Sequence, residues 1–361
     1  MRCSPIIIFI LLFAFYSAFG QSGRVPVYSE SSSPKDKGVE SGAATVANSE
    51  KKLPDGEEVI RVNTDLVVIP SQITDRRGKP VNNIGKEEFK IFENGIEQEI
   101  AYFSSDEQPF TVALVLDMSY SSVFKLPEIQ AAALAFINQL HENDKVMVVS
   151  FDEKVRVLCE PTNNRKVLRY AIEGARIASG TSLYAALDMV LNQKLREISG
   201  RKAIILLSDG VDTSSLRQTP VEILRAAAET EILIYPIRYD TYDDVQKSRR
   251  ESAQIFYDEN DRPYTKEMPR MKGEREEDYR IAGEFTEQLA NQSGGKVYRV
   301  SSSTNLNSAF SKIAEELRQV YNLGYYPGIE RKNGVRYSIK VRVYRPDLII
   351  RARNSYFWKQ K

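Results

Sequence analysis

Histidine is nearly absent: 361 residues contain one, His141. A Ser-His-Asp hydrolase, a His-ligated zinc enzyme or a His-based acid/base pair would have to be built on that side chain alone. Cysteine is almost as scarce, with only Cys3 and Cys159. Cys3 precedes an apolar leader, so it is not placed as the lipidated cysteine of a lipoprotein. Once the leader is removed only Cys159 is left, and one cysteine makes neither an internal disulfide nor a Cys-cluster zinc site. It lies in the apolar run Val155-Arg156-Val157-Leu158-Cys159 and reads as a buried structural thiol. An excess of charge of one sign is missing too. Lys+Arg number 50 against 49 Asp+Glu, which leaves no broad basic field for nucleic acid and no acidic bias. Past the leader, no stretch is long and apolar enough to span a bilayer, and no internal repeat is visible.

What is present is enough chain for two or three domains, with 42% hydrophobic residues to fill their cores. The leader carries Arg2, then an apolar run from Pro5 to Phe19 broken only by Ser17, then Ala18-Phe19-Gly20. This is signal-peptide chemistry, with cleavage expected before Gln21 and export to the periplasm or beyond. The alternative is an uncleaved anchor, for which the run is short. Residues 21–58 are rich in Ser, Gly, Pro, Lys and Glu without periodicity, and read as a flexible tether or simply a disordered segment.

Residues 59–107 carry β signals. Leu66 to Ile73 is strand-like, Asp75-Arg76-Arg77-Gly78-Lys79-Pro80 is turn chemistry, and Glu93-Asn94-Gly95 predicts a hairpin between Phe89–Phe92 and Ile96–Phe103. Four or five short strands predict a small sandwich-like module. Over 110–320 the pattern becomes alternating strand and helix. Strands are expected at Thr111–Leu116, Lys145–Phe151, Val155–Cys159 (an edge), Ala203–Leu207, Ile232–Ile237 and Val297–Val300. Helices are expected at Pro127–Leu140, Arg165–Arg176, Ser182–Leu195, Pro220–Thr230, Phe285–Gln292 (stopped by Gly294-Gly295) and Leu306–Tyr321. That alternation predicts an α/β fold with a doubly wound, mostly parallel sheet. The charged stretch 239–280 reads as an inserted surface excursion, partly helical or mobile. Residues 324–358 return to strand periodicity and are expected to pair with the N-terminal β module.

The chemistry gathers at the ends of two apolar strands. Asp117 ends the first and Asp209 follows Ala203–Ser208. In an open α/β sheet ligands sit beyond the carboxyl ends of strands, where strand order reverses, so the two carboxylates are expected to meet there. Ser119 and Ser121 follow Asp117 at alternate positions, which in an extended loop puts both hydroxyls on the carboxylate's side. Thr181 enters a helix from its own loop and can add a third hydroxyl. An all-oxygen set of three hydroxyls and two carboxylates suits Mg²⁺ or Mn²⁺. The competing reading is helix capping by Ser121 and Ser122 ahead of Pro127–Leu140. Asp152 and Asp212 read either as supports behind these donors or as exposed loop acids, and Tyr184 as packing.

Asp-x-Ser-x-Ser, a later Gly-Thr-x-Leu and an Asp-Gly after a buried strand resemble the metal-ion-dependent adhesion site of the von Willebrand factor A (VWA) family. The whole layout also resembles exported proteins of acidobacteria that carry such a domain. The resemblance implies that Ser119, Ser121 and Thr181 bind metal directly, that Asp117 and Asp209 act largely through water, and that an Asp or Glu of a partner protein completes the shell. It implies an adhesive or assembly module, not an enzyme. An envelope scaffold with a vestigial site, or a metal-assisted hydrolase, are the alternatives. No general base is evident for the latter, because His141 closes the first helix and is expected at the opposite pole of the sheet.

Overall fold

The computed structural model describes residues 66–265, 269–301, 303–328 and 331–358. The expected signal peptide, the tether and the first residues of the β module lie outside them. Among the described residues no helix is long and apolar enough to cross a membrane.

The N-terminal strands are β1 (Val67–Asp75), β2 (Phe89–Glu93), β3 (Ile96–Gln98) and β4 (Tyr102–Ser104). Asn94-Gly95 makes the β2–β3 turn with both residues at positive φ, as the twist of a two-residue hairpin demands. The α/β unit then runs β5 (Phe110–Asp117), α1 (Leu126–Asn138), β6 (Lys145–Phe151), β7 (Val155–Thr162), α2 (Arg165–Gly174), α3 (Leu183–Asp188), β8 (Arg201–Ser208), α4 (Pro220–Glu229) and β9 (Leu233–Tyr239). Next come α5 (Tyr242–Glu251), a hairpin of β10 (Ile255–Tyr257) and β11 (Pro263–Thr265), α6 (Glu276–Ser293), β12 (Tyr298–Val300) and α7 (Ser303–Arg318). The chain closes with β13 (Val320–Tyr325), β14 (Arg336–Val343), β15 (Leu348–Ala352) and β16 (Ser355–Phe357).

The central six-stranded sheet has the order β12-β9-β8-β5-β6-β7. All its pairings are parallel except β6–β7 at the edge. β5 is buried at every position and β8 at its last six. This is why both read as unbroken apolar runs: helices cover the two faces. Phe136 of α1 and Phe310 of α7 meet at 5.3 Å over one face, and Leu187 of α3 and Leu289 of α6 sit in the core of the other. Burying each such side chain stabilises the sheet by roughly 1.5–3 kcal/mol. The helix ends follow local chemistry. Asn164 caps α2 by accepting from the amides of Lys166 and Val167, and Thr219 and Glu222 form a reciprocal box at the start of α4. Gly294 ends α6 in the left-handed conformation at φ 83°.

Two antiparallel four-stranded sheets, β15-β1-β13-β4 and β16-β14-β2-β3, pack around Ile69, Ile91, Leu323 and Tyr325. Each combines strands from both ends of the described chain. Glu93 of one sheet accepts hydrogen bonds from Tyr325 of the other and from Tyr356, and pairs with Arg331. A mostly parallel central sheet with flanking antiparallel strands is the fold class expected from the sequence.

Several boundaries move. The last helix stops at Arg318 rather than Tyr321, because Val320 and Tyr321 enter β13 and pair with Gln72 and Ser71. The helix expected at Phe285 begins at Glu276. Its acidic first turn, Glu276-Glu277-Asp278, favours the positive end of the helix, and Asp278 accepts from the amides of Gly273 and Arg275. The charged stretch is thus partly helical, with α5 and the start of α6 inside it. The Ser182–Leu195 helix is α3 continued by a π-helical turn over Met189–Lys194.

Candidate metal centre

Strand order reverses between β8 and β5: the chain leaves β5 toward β6 on one side, and β8 lies on the other. With Leu116 in register with Leu207, Asp117 and Ser208-Asp209 emerge side by side at the carboxyl ends of the two strands. Both carboxylates are buried. Asp117 Oδ1 accepts the amide of Ser119 at 3.0 Å, and its Oδ2 accepts the Ser208 hydroxyl at 2.6 Å. Asp209 Oδ2 accepts the hydroxyls of Ser121 at 3.1 Å and Thr241 at 2.6 Å. The Ser119 and Ser121 hydroxyls lie 3.1 Å apart. Four of the five residues singled out from the sequence thus form one hydrogen-bonded cluster.

Thr181 reaches the same rim through its loop. Ser119 forms a parallel bridge with Ala178, whose amide donates to the Met118 carbonyl at 2.9 Å. Further along, the Glu153 amide donates to Ser179 and the Ser182 amide to Asp152. The Thr181 carbonyl accepts from the amides of Thr213 and Ser214, just beyond Asp209. Gly180 makes this route possible. It has φ +80°, and a Cβ there would lie 2.6 Å from the Ser214 hydroxyl and 3.0 Å from Glu153 Cβ.

The capping reading fails on geometry. Ser119 precedes a short 3₁₀ turn, Tyr120–Lys125, without a side-chain cap, and the residue before α1 is Lys125, which also makes none. The Ser122 hydroxyl meets Tyr239 at 2.8 Å instead. Asp152 and Asp212 are both buried, which removes the exposed-acid reading. Asp152 pairs with Arg156, while Asp212 accepts from the Tyr184 amide at the start of α3 and lies 3.7 Å from Lys272. Tyr184 packs edge-on against Phe285 at 5.0 Å. Cys159 is half-buried on edge strand β7, less enclosed than its apolar run implied, and packs against the core. His141 donates its amide to Asp144, which also accepts from the amide of Phe110. Phe110 begins the strand that Asp117 ends, so at roughly 3.3 Å per residue the histidine lies ~20 Å from the rim.

Sequence reading missed Ser208, Thr241 and Tyr279. Thr241 bonds both Asp209 and the Tyr279 hydroxyl (3.1 Å). Its place just past the end of β9, the strand beside β8, is the available signal, and it falls where the sequence turns dense in charge.

Burial is the largest influence on both acids. It pushes the Asp117 carboxyl up to about 7, helped by the charge of Asp209 and opposed by the Ser119 and Ser208 hydrogen bonds. Burial raises Asp209 as well, against the hydrogen bonds of Thr241, Val211 and Ser121 and the charge of Arg238. Asp152 and Asp212 have their own cations, whereas among the described residues no lysine or arginine bridges to Asp117 or Asp209. Arg238 comes nearest, through the backbone carbonyl of Asp209 at 3.3 Å. Nor do three His, Cys, Asp or Glu side chains converge anywhere among the described residues. A cation here would depend on hydroxyls as well as carboxylates. Two buried acids set among hydroxyl-bearing residues, with neither acid in an ion pair among the described residues, fit a hard divalent cation.

Residues 112–211 match the family model for the von Willebrand factor type A domain. The Synechocystis protein sll0103 is 26% identical over 160 residues, which are 42% of this chain, and the chain spans only 38% of that relative's length. Solved structures give distant likenesses of shape. The vWF domain of the type V pili tip protein Mfa5 from Porphyromonas gingivalis shares 15% identity at a TM-score of 0.41, covering 63% of this chain and 99% of its own. Proximal thread matrix protein 1 of the mussel byssus, solved with a zinc-occupied metal-ion-dependent adhesion site, shares 12% at 0.42, covering 63% and 50%. Asp117, Ser119, Ser121, Thr181 and Asp209 all lie within the stretch that matches the model of the von Willebrand factor type A domain.

Proposed function

We propose that this protein is an exported, non-catalytic protein-binding module whose β5–β8 rim holds Mg²⁺ or Mn²⁺ and, through it, an acidic residue of a partner protein. Ser119, Ser121 and Thr181 would hold the ion directly, and Asp117 and Asp209 largely through water. When bound, the ion supplies an electrophilic seat for a carboxylate, because neutral hydroxyls leave its charge incompletely balanced. The observation that carries this reading is the pair of buried acids, Asp117 and Asp209, hydrogen-bonded to the serines and, among the described residues, in no ion pair with a lysine or arginine. The non-catalytic part is supported by the distance of the one histidine from the rim. The leader at 1–20 supports export.

Calorimetric titration of the folded protein with Mg²⁺ tests the site. Saturable binding that is lost in Asp117→Ala is expected. No binding in the unaltered protein, or equal binding in the variant, would sink the proposal. Hydrolytic activity that needs added metal and survives His141→Ala would restore the enzyme reading.

A further inference from the structure

A groove of about 1310 Å³ opens directly beside the rim, with Tyr120 and Ser121 at one side and α5, the β10–β11 hairpin and the Pro269–Glu274 segment at the other. Its apolar lining is exposed: Tyr120 by 63%, Phe256 by 37% and Met271 by 68%. Its charged lining is Arg249, Arg250 and Arg270 against Asp243 and Glu274. Glu274 is taken up by Arg249, while among the described residues Arg250 and Arg270 form no ion pair. The groove walls are held in place. Tyr242 packs on Tyr279 at 5.3 Å, Gln246 donates to the Glu274 carbonyl at 2.8 Å, and Lys272 reaches Asp212. Exposed aromatic, methionine and arginine side chains around one concavity are the composition of a binding surface, and a preformed one costs little ordering on association.

From this geometry we infer that the groove reads the chain flanking the partner's acidic residue, and that its occupant is an extended protein segment combining apolar and further acidic side chains. This rests on the proposed metal-dependent capture. The carboxylate would enter at Ser121. The neighbouring apolar residue lies against Tyr120, Phe256 and Met271, and a second acid meets Arg250 and Arg270. Charge complementarity selects an acidic over a basic segment, because the lining has three arginines against two acids. The stretches 242–256 and 269–274 thus act as a specificity element for the site.

The probes are short synthetic peptides with a central Asp flanked by Phe and Glu, by Phe and Lys, or by Gly and Ser. Their affinity for the full chain is measured by fluorescence anisotropy in Mg²⁺, with Mg²⁺ binding measured separately by calorimetry. The Phe/Glu peptide is expected to bind about tenfold tighter than the other two. That preference should vanish in Arg250→Glu/Arg270→Glu and in Tyr120→Ser, with Mg²⁺ affinity unchanged. Equal affinity for the three peptides, or a preference that survives those variants, overturns the groove while leaving the metal site standing. Absence of Mg²⁺ binding is a different failure, that of the site itself.

Discussion

The hydroxyl of Ser121 donates to Asp209 Oδ2 at 3.1 Å across 88 residues of chain. This bond joins the loop after β5 to the end of β8 and closes the rim of the sheet at its point of reversal. It also places a neutral donor against a carboxylate that burial has made reluctant to ionise. That relationship sets what the centre should do when pH, ligand or side chain is changed.

Without metal, the centre should weaken the fold as pH rises. Asp117 is raised from 3.8 to about 7 in the folded state, so between those values the native protein holds a proton that the unfolded chain has released. Stability linked to this group is complete below pH 4 and is lost as pH climbs through 7, by up to about 1.4 kcal/mol per unit. Urea denaturation in chelator should show this loss in the unaltered protein relative to Asp117→Asn, and Mg²⁺ should reverse it near neutrality. A wild-type-minus-variant difference that stays flat with pH would refute the linkage.

Thr241→Val should hurt the centre although Thr241 lies outside the sequence motif. The change removes a donor from Asp209 and a partner from Tyr279 while preserving shape. A loss of about 1–3 kcal/mol in stability is expected, together with altered Mg²⁺ affinity. Unchanged denaturation midpoint and unchanged affinity would show that the bond is idle.

Gly180→Ala should disturb the Thr181 loop. The left-handed backbone costs an L-residue about 1–2 kcal/mol, and the added methyl group meets Ser214 and Glu153. Thermal unfolding should fall and Mg²⁺ affinity should weaken together. A variant as stable as the parent with intact affinity would show that the loop does not position Thr181.

Arg331→Met should destabilise the sandwich and spare the metal. It strands Glu93 between two tyrosines in a buried site. Breaking a buried pair from one side costs about 3–5 kcal/mol. The expected signature is a lowered denaturation midpoint with unaltered Mg²⁺ titration at a temperature where the variant is folded. A shift in Mg²⁺ affinity would instead couple the two halves of the molecule.

The sequence by itself determined the architecture of the α/β unit, because buried parallel strands must be apolar along their whole length and Thr111–Leu116 and Ala203–Leu207 could be little else. It also singled out Asp117 and Asp209 as strand ends and Ser119 and Ser121 by their alternate spacing, which is local geometry, while Thr181 joined them through its loop and the family resemblance. Only the tertiary structure decided what surrounds them. Ser208 and Thr241 serve the two acids because strand order sets β8 beside β5 and β9 beside β8, a long-range fact with no local signature. For the same reason packing alone sets the charged stretch, as α5, a hairpin and the first turn of α6, beside the rim. Periodicity records which face a residue buries, whereas only packing decides which neighbour it meets there.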